Sequence, residues 1–345
     1  MKGLSALWTK ILLRSYGWKP TDKVKRYENN PILSAKDIPY EATLIFNAGV
    51  VKYKGKYLMA FRDDYSYDPN NKRKLHTHVG FAESDDGIHF TPHDKPFIDY
   101  NVIHRGEVER MYDPRLIVID ETLYLCFAQD TKHGLRGGIA RINDDLRSYE
   151  ILSLSVPDDR NMVLFPEKID GKFVRLERPM PIYSRAGKEL FDTWISFSPD
   201  LKYWGESSLL LPQEKLPFSN CKVGPAAPPI KTDKGWLTLF HAVKKDKRLL
   251  KNGWEKRWTK VYSAGVMLLD LKDPTKILGI YDQPLLMPQA KYELYGGFRN
   301  NTIFPCGMVA EDNGEVKIYY GAADTVTCLA TAKIDDLVDL CLGGR

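Results

Sequence analysis

One local pattern recurs five times along the chain: an apolar segment, a tight polar turn, then a segment rich in aromatic residues. The copies are VVKYKGKYLMAF around Gly55, LIVIDETLYLCF around Glu121, EKIDGKFVRL around Gly171, PPIKTDKGWLTLF around Gly235 and MVAEDNGEVKIYY around Gly314. Each predicts a β-hairpin, because the turn supplies positive φ or Asx chemistry and the flanks alternate apolar with polar residues at period two. The copies lie roughly 50 to 80 residues apart, the length of a four-stranded blade with its loops. A second turn follows the first three hairpins: SDDGIHF ending at Phe90, NDDLRSY ending at Tyr149 and SPDLKYW ending at Trp204. An all-β chain with this repeat is expected to form a five-bladed β-propeller. A β-sandwich would share the turn chemistry but gives no reason for five evenly repeated units.

Helical periodicity is confined to the tail IDDLVDLCL and to the N-terminus, where Leu4, Leu7, Trp8, Ile11 and Leu12 fall on one face of a short helix. That face could pack on its own domain or on a second subunit, which opens the way to a homo-oligomer. The expected organisation is therefore an N-terminal helical extension over 1–25 and one propeller domain over 26–345. Residues Met1 to Lys19 lack the long apolar run and the small-residue cleavage site of a signal peptide. The five cysteines, Cys126, Cys221, Cys306, Cys328 and Cys341, are odd in number, widely spaced and without a CxxC pair. Neither a disulfide framework nor a zinc site is expected, and a reducing cytoplasm is the simplest address. No membrane or nucleic-acid partner is expected. The formal charge of +5 is a small excess spread over 50 Lys and Arg, and it suits a small anionic substrate better than a nucleic acid.

If five hairpins point at one axis, charged residues in their inner strands and adjoining loops converge there. These are Asn47, Arg62, Asp63 and Asp64 from the first hairpin, and Tyr112, Asp113, Arg115 and Asp130 from the second. The third gives Arg160, Asn161, Glu177 and Arg178, the fourth Lys222 and His241, and the last Asp324, with Tyr262 entering between the last two. Charges inside strands such as LIFNAGV, YLMAFRDD and VRLERP are costly to bury unless they are paired or meet a ligand. A simple glycosidase needs two carboxylates. This set is instead rich in cations: Arg160, Arg178, Lys222 and His241, with Asn161 and Tyr262 as neutral donors, suit a tetrahedral dianion. No Gly-rich phosphate loop is present, and the Asp and His residues show no metal-ligand spacing.

The segments NPIL at Asn30, IFNAGVV at Ile45, FRDD at Phe61, YDPRL at Tyr112, RNMVLFPEKIDGKFVRLERP at Arg160, KVGPAAPP at Lys222, LFHAV at Leu239, YSAGVMLLDLKDP at Tyr262, and NTIFPCG followed by YYGAADT occur in this order. In these the chain resembles glycoside hydrolase family 130, the β-mannoside phosphorylases and related mannosidases, from Asn30 to Leu337. The resemblance implies a five-bladed propeller and inverting phosphorolysis of β-1,2- or β-1,4-linked mannosides to α-mannose 1-phosphate. It implies inorganic phosphate as co-substrate, with no cofactor and no metal. By the same resemblance Asp113 is the general acid, and its proton travels through a mannose hydroxyl. Phosphate falls to Arg160, Asn161, Arg178, His241 and Tyr262, and the mannosyl pocket to Asn47, Arg62, Asp64, Lys222 and Asp324.

Two other readings remain at this point. A β-mannosidase on the same scaffold would need Glu167 or Glu177 as base, and retention of Arg178 and His241 argues for phosphorolysis. A non-catalytic sugar-binding propeller would leave Asp113 and the basic cluster unexplained. Acceptor choice is expected in two loops, Tyr65 to Lys74 and the basic insertion Lys244 to Lys260.

Overall fold

The computed structural model describes residues 2–19, 21–66, 76–103, 106–185, 187, 189–249, 253–255 and 257–343. The expected loop Tyr65 to Lys74 thus falls mainly outside the described residues, as do positions 250–252 and 256 of the basic insertion. Five antiparallel sheets follow one another along the chain as the blades of a propeller. Blade one holds strands Leu44–Tyr53, Lys56–Tyr65, His76–Ser84 and Thr91–Pro92; blade two holds Val108–Ile119, Thr122–Thr131, Gly134–Ile142 and Tyr149–Leu154. Blade three holds Asp159–Leu164, Phe173–Pro179, Thr193–Ser198 and Gly205–Leu211. In blade four the inner strand is split into Lys222–Pro225 and Ile230–Thr232, followed by Gly235–Lys245, Lys260–Leu269 and Ile277–Ile280.

The repeated turns join the first two strands of each blade. Three are tight two-residue turns with both residues at positive φ: Lys54-Gly55, Asp120-Glu121 and Asp170-Gly171. That is the twist a two-residue hairpin requires. The second set of turns joins strands three and four, where Asp86 Oδ1 accepts the amides of Ile88 and His89, and Asp200 Oδ1 those of Lys202 and Tyr203. Blade four has the same device at Asp270, which accepts the amides of Lys272 and Asp273.

Blade five lacks that turn because its fourth strand comes from the other end of the chain. Strands Ile303–Ala310, Glu315–Ala322 and Val326–Lys333 are completed by Lys25–Arg26, which pairs Lys25 with Thr331 and Arg26 with Ala330. This strand straddles the expected boundary between extension and propeller. Arg26 reaches the fully buried Glu293 through Nε (2.7 Å) and Nη2 (3.1 Å). Glu293 also accepts the Tyr320 hydroxyl and the amides of Gln289 and Ala290, so the buried carboxylate is fully satisfied.

Hydrophobic packing sits at the blade junctions. Five larger clusters fill them, for example Leu58, Val79 and Phe81 against Leu116 and Leu125 between blades one and two, and Phe165 and Leu176 against Trp236 and Phe240 between three and four. Both faces of a blade are therefore buried. Among the described residues, helix Lys2–Ser15 joins the third junction through Leu12 and Leu13, leaving Leu7, Trp8 and Ile11 outward; the Leu4 side chain of the expected apolar face lies outside the described residues.

Candidate active site

In blades one to three the inner strand breaks register with its neighbour near the axis. In blade one Phe46 faces Arg62 but Gly49 faces Ala60; in blade two Tyr112 faces Ala128 but Arg115 faces Cys126; in blade three Arg160 faces Arg178 but Val163 faces Leu176. At these bulges Asn47, Asp113 and Asn161 take the left-handed conformation, with φ of 53°, 53° and 60°. Asn and Asp tolerate that region better than other non-glycine residues, and a bulge re-aims the side chain it carries. Equivalent positions of three successive blades thus turn a polar side chain toward one cavity. The blades approach closely there: a Cβ on Gly49 would stand 2.7 Å from the Arg115 Cα.

The cavity, of about 230 Å³, is lined by ten of the eleven residues expected from the sequence: Asn47, Arg62, Asp113, Arg160, Asn161, Arg178, Lys222, His241, Tyr262 and Asp324. Asp64 lies beneath it, fully buried. Its two oxygens grip Arg62 Nε (2.9 Å) and Nη2 (2.6 Å), and Thr77 donates to it at 2.7 Å. Asp63 faces the opposite side of the same strand, where burial pushes its carboxyl up to about 8. Glu177, adjacent to Arg178, likewise faces away and pairs with Arg175 at 2.6 Å, while Glu167 is tied to Lys231 at the surface. Neither glutamate lines the cavity.

The wall also contains Tyr112, expected to converge here, and residues the repeat did not reveal: Arg110, Trp258, Lys260, Phe298, Arg299, Thr302 and Phe304. Trp258 and Lys260 belong to the basic insertion, whose composition was its one visible signal. Arg110 is held by Asp130, which also accepts the Tyr112 hydroxyl at 2.8 Å. Arg115 sits behind the wall, donating to the carbonyls of Ala226 (2.6 Å) and Asp113 (3.0 Å).

Electrostatically the cavity has two halves. On the side of blades one, two and five, cations are matched by carboxylates. Asp113 Oδ1 accepts Asn47 Nδ2 at 2.9 Å and Arg62 Nη1 at 3.0 Å. Burial pushes the Asp113 carboxyl up, but Arg62, Arg115 and Asn47 together outweigh it and hold the group at about 2. Asp324 pairs with Arg299 at 3.1 Å, and here burial prevails and raises the carboxyl above its usual range.

On the side of blades three and four the cations face one another. Burial and the Arg160 charge push Arg178 down to about 9, and burial with Arg178 and Lys260 pushes Lys222 down to about 7. Among the described residues, Arg160, Arg178, Lys222 and Lys260 have no carboxylate in ion-pair contact, and Arg178 leaves its Nε and Nη2 unbonded. Burial, then Arg178, keep His241 neutral; its Nδ1 donates to the Pro225 carbonyl at 3.0 Å, so the unpartnered Nε2 carries the lone pair. Four buried or half-buried cations without counter-ions form a site for an anion.

A family model described as beta-1,4-mannooligosaccharide phosphorylase matches residues 19–342. The chain belongs to glycoside hydrolase family 130. Among its family 130 relatives, a beta-1,4-mannooligosaccharide phosphorylase of Ruminococcus albus is 36% identical over 92% of this chain and 90% of its own length. A 1,2-beta-oligomannan phosphorylase of a Thermoanaerobacter species is 30% identical over 91% of this chain and 99% of its own. The beta-1,2-mannobiose phosphorylase of Listeria innocua, solved with beta-1,2-mannobiose, superposes with a TM-score of 0.76 at 27% identity, covering 92% of this chain and 99% of that one. The five-bladed architecture read from the repeat is the architecture of these family 130 structures. Family members of this kind are enzymes, which removes the non-catalytic propeller as a reading of the chain.

Proposed function

We propose that this family 130 enzyme is an inverting β-mannoside phosphorylase that binds phosphate on the unpaired cations of blades three and four. The observation that carries the reading is the charge balance of the cavity. Among the described residues seven cations line it, Arg62, Arg110, Arg160, Arg178, Lys222, Lys260 and Arg299, and five carboxylates line or directly pair with them, Asp64, Asp113, Asp130, Glu255 and Asp324. With each group in its usual charge state the excess is two, the charge a hydrogen phosphate dianion neutralises. A neutral leaving sugar keeps that balance.

In this reading Arg160, Arg178 and Tyr262 donate to phosphate oxygens, Asn161 offers its amide, and neutral His241 Nε2 accepts the P–OH. Asn47, Arg62, Lys222 and Asp324 hold the mannosyl ring, with Asp64 fixing Arg62 from below. A phosphate oxygen attacks C1 from the face opposite the leaving oxygen, forming the C1–O–P bond as the glycosidic bond breaks. Asp113 delivers a proton to the leaving oxygen through a sugar hydroxyl, and the proton that hydrogen phosphate loses on becoming an ester restores it. A bound dianion raises the proton affinity of Asp113 above its value in the empty cavity. The cations hold the charge of the transition state in place.

Hydrolysis is disfavoured because neither Glu167 nor Glu177 reaches the cavity. Among linkages β-1,4 has the stronger support, since the family model and the 36% identical relative carry that description. Five unpaired cysteines suit a reducing cytoplasm, and no helix among the described residues is long and apolar enough to cross a membrane. Incubation with β-1,4- and β-1,2-mannobiose and with mannosyl-glucose, each with and without phosphate, tests the proposal. Phosphate-dependent α-mannose 1-phosphate is expected; phosphate-independent mannose would make the enzyme a hydrolase.

A further inference from the structure

The basic insertion leaves blade four between strands Gly235–Lys245 and Lys260–Leu269 and crosses to the loop that precedes blade five. Trp254 N donates to the Gly297 carbonyl at 3.1 Å and Glu255 N to that of Phe298 at 3.0 Å. The approach is close enough that a Cβ on Gly253 would stand 2.8 Å from the Phe298 oxygen. The Glu255 carboxylate binds Arg299 Nε, and Arg299 Nη1 reaches Asp324 Oδ2 at 3.1 Å. The Arg299 guanidinium also lies 5.0 Å from the Trp258 ring, which stacks on Tyr262 at 5.5 Å and 19°.

Arg299 is thus one cation shared by two carboxylates of different standing. Asp324 lines the cavity, takes a left-handed backbone (φ 47°) and is buried; Glu255 does not line it and is part-exposed. An arginine held by one ion pair is pre-oriented for the second, so less side-chain freedom is lost when Asp324 is gripped. The insertion's opposite end is fixed independently: Asp246 accepts the Tyr16 hydroxyl of the N-terminal helix at 2.7 Å, and the Trp8 indole donates to the Arg248 carbonyl at 3.1 Å.

We infer that Glu255 is a positioning residue for mannoside binding: it latches the insertion to Arg299, and Arg299 in turn holds Asp324 where it receives sugar hydroxyls. The inference takes the sugar's identity from the proposed function but not its logic. The latch's hydrogen bonds all lie in the carboxylate-matched half of the cavity, and of the unpaired cations Lys260 alone feels its two opposed charges, so it predicts a split between the two substrates.

Glu255→Gln keeps the side chain's size and removes its charge. In the full-length enzyme, with a wild-type circular dichroism spectrum, it is expected to raise KM for mannobiose about five- to tenfold while KM for phosphate stays unchanged. Arg299→Lys, which keeps the charge but loses the fork that serves both carboxylates, is expected to do the same, and Glu255→Asp to fall between Glu255→Gln and wild type. Equal rises in both KM values, a rise confined to phosphate, or no rise in either variant overturns the latch. If wild-type enzyme releases sugar without phosphate, the phosphorylase reading fails while the mannobiose KM of Glu255→Gln still decides this one.

Discussion

Asn47 donates to Asp113 across 2.9 Å from the equivalent bulge of the neighbouring blade, and both residues are left-handed. The backbone of two blades therefore cooperates to place one carboxylate. With Arg62 on the same oxygen, Asp113 is kept ionised and fixed in direction until substrates arrive.

Asp113→Asn preserves the shape of this contact but removes the proton donor. We expect kcat for mannobiose phosphorolysis to fall about a thousandfold or more, read as α-mannose 1-phosphate formation under saturating substrates. Near-normal turnover would remove Asp113 from its role.

The cationic half gives a pH dependence of defined sign. Lys222 titrates at about 7 in the folded protein, below its ordinary value of 10.5, so above pH 7 the unfolded chain binds a proton that the native one has released. The Lys222 contribution to stability without phosphate is therefore expected to rise with pH through that window, whereas Asp63, whose carboxyl burial raises to about 8, contributes with the opposite sign, so the Lys222 effect is read as the difference from Lys222→Met. Phosphate, which favours the protonated lysine, should bind less tightly over the same range and flatten the stability slope. Melting curves of wild type and Lys222→Met from pH 6 to 9, with and without phosphate, check both effects; a difference between the two proteins that falls with pH would mean that Lys222 is paired in solution.

Arg178→Gln removes a cation that is 2% exposed and has no carboxylate in ion-pair contact among the described residues. We expect KM for phosphate to rise by more than about tenfold. Its Tm without phosphate should lie above that of wild type, because an uncompensated buried charge has gone. Phosphate should raise it only at correspondingly higher concentrations. Differential scanning calorimetry with a phosphate titration separates these outcomes.

Arg26→Ala strands Glu293, a fully buried carboxylate, without its cation. Breaking such a pair costs about 3 kcal/mol. Urea unfolding should show that loss while activity per folded molecule is retained, since neither residue lines the cavity. A variant of wild-type stability would show that strand Lys25–Arg26 contributes little to closing the ring.

The architecture was legible because turn chemistry is local. Gly55, Gly171 and the Asp120-Glu121 pair announce hairpins by the φ values they permit, and five such signals fix the blade number. The gathering of Asp113, Arg160, Arg178 and His241 followed from placing those hairpins around one axis, supported by the family motifs. Face assignment was less visible, although period-two alternation does separate Glu177 from Arg178 and Asp63 from Arg62. The three bulges had no periodic signature, since a single extra residue breaks the pattern that reveals a strand. Trp258 and Arg299 escaped because they lie outside the strands, in segments that acquire meaning only where blade four meets blade five.

The strand at Lys25–Arg26 sets the order in which the molecule can become active. Blades one to four are each built from consecutive strands and are local in sequence, whereas blade five joins the strand at residue 25 to the one ending at Lys333. That pairing closes the longest loop in the protein and carries the largest entropic delay. Asp324 and the Arg299 that holds it sit on blade five, so closing the ring brings them against Arg62 and Asp113 of the first two blades and completes the sugar half of the cavity. A partly folded chain would carry the phosphate cations on blades three and four well before it could hold a mannoside.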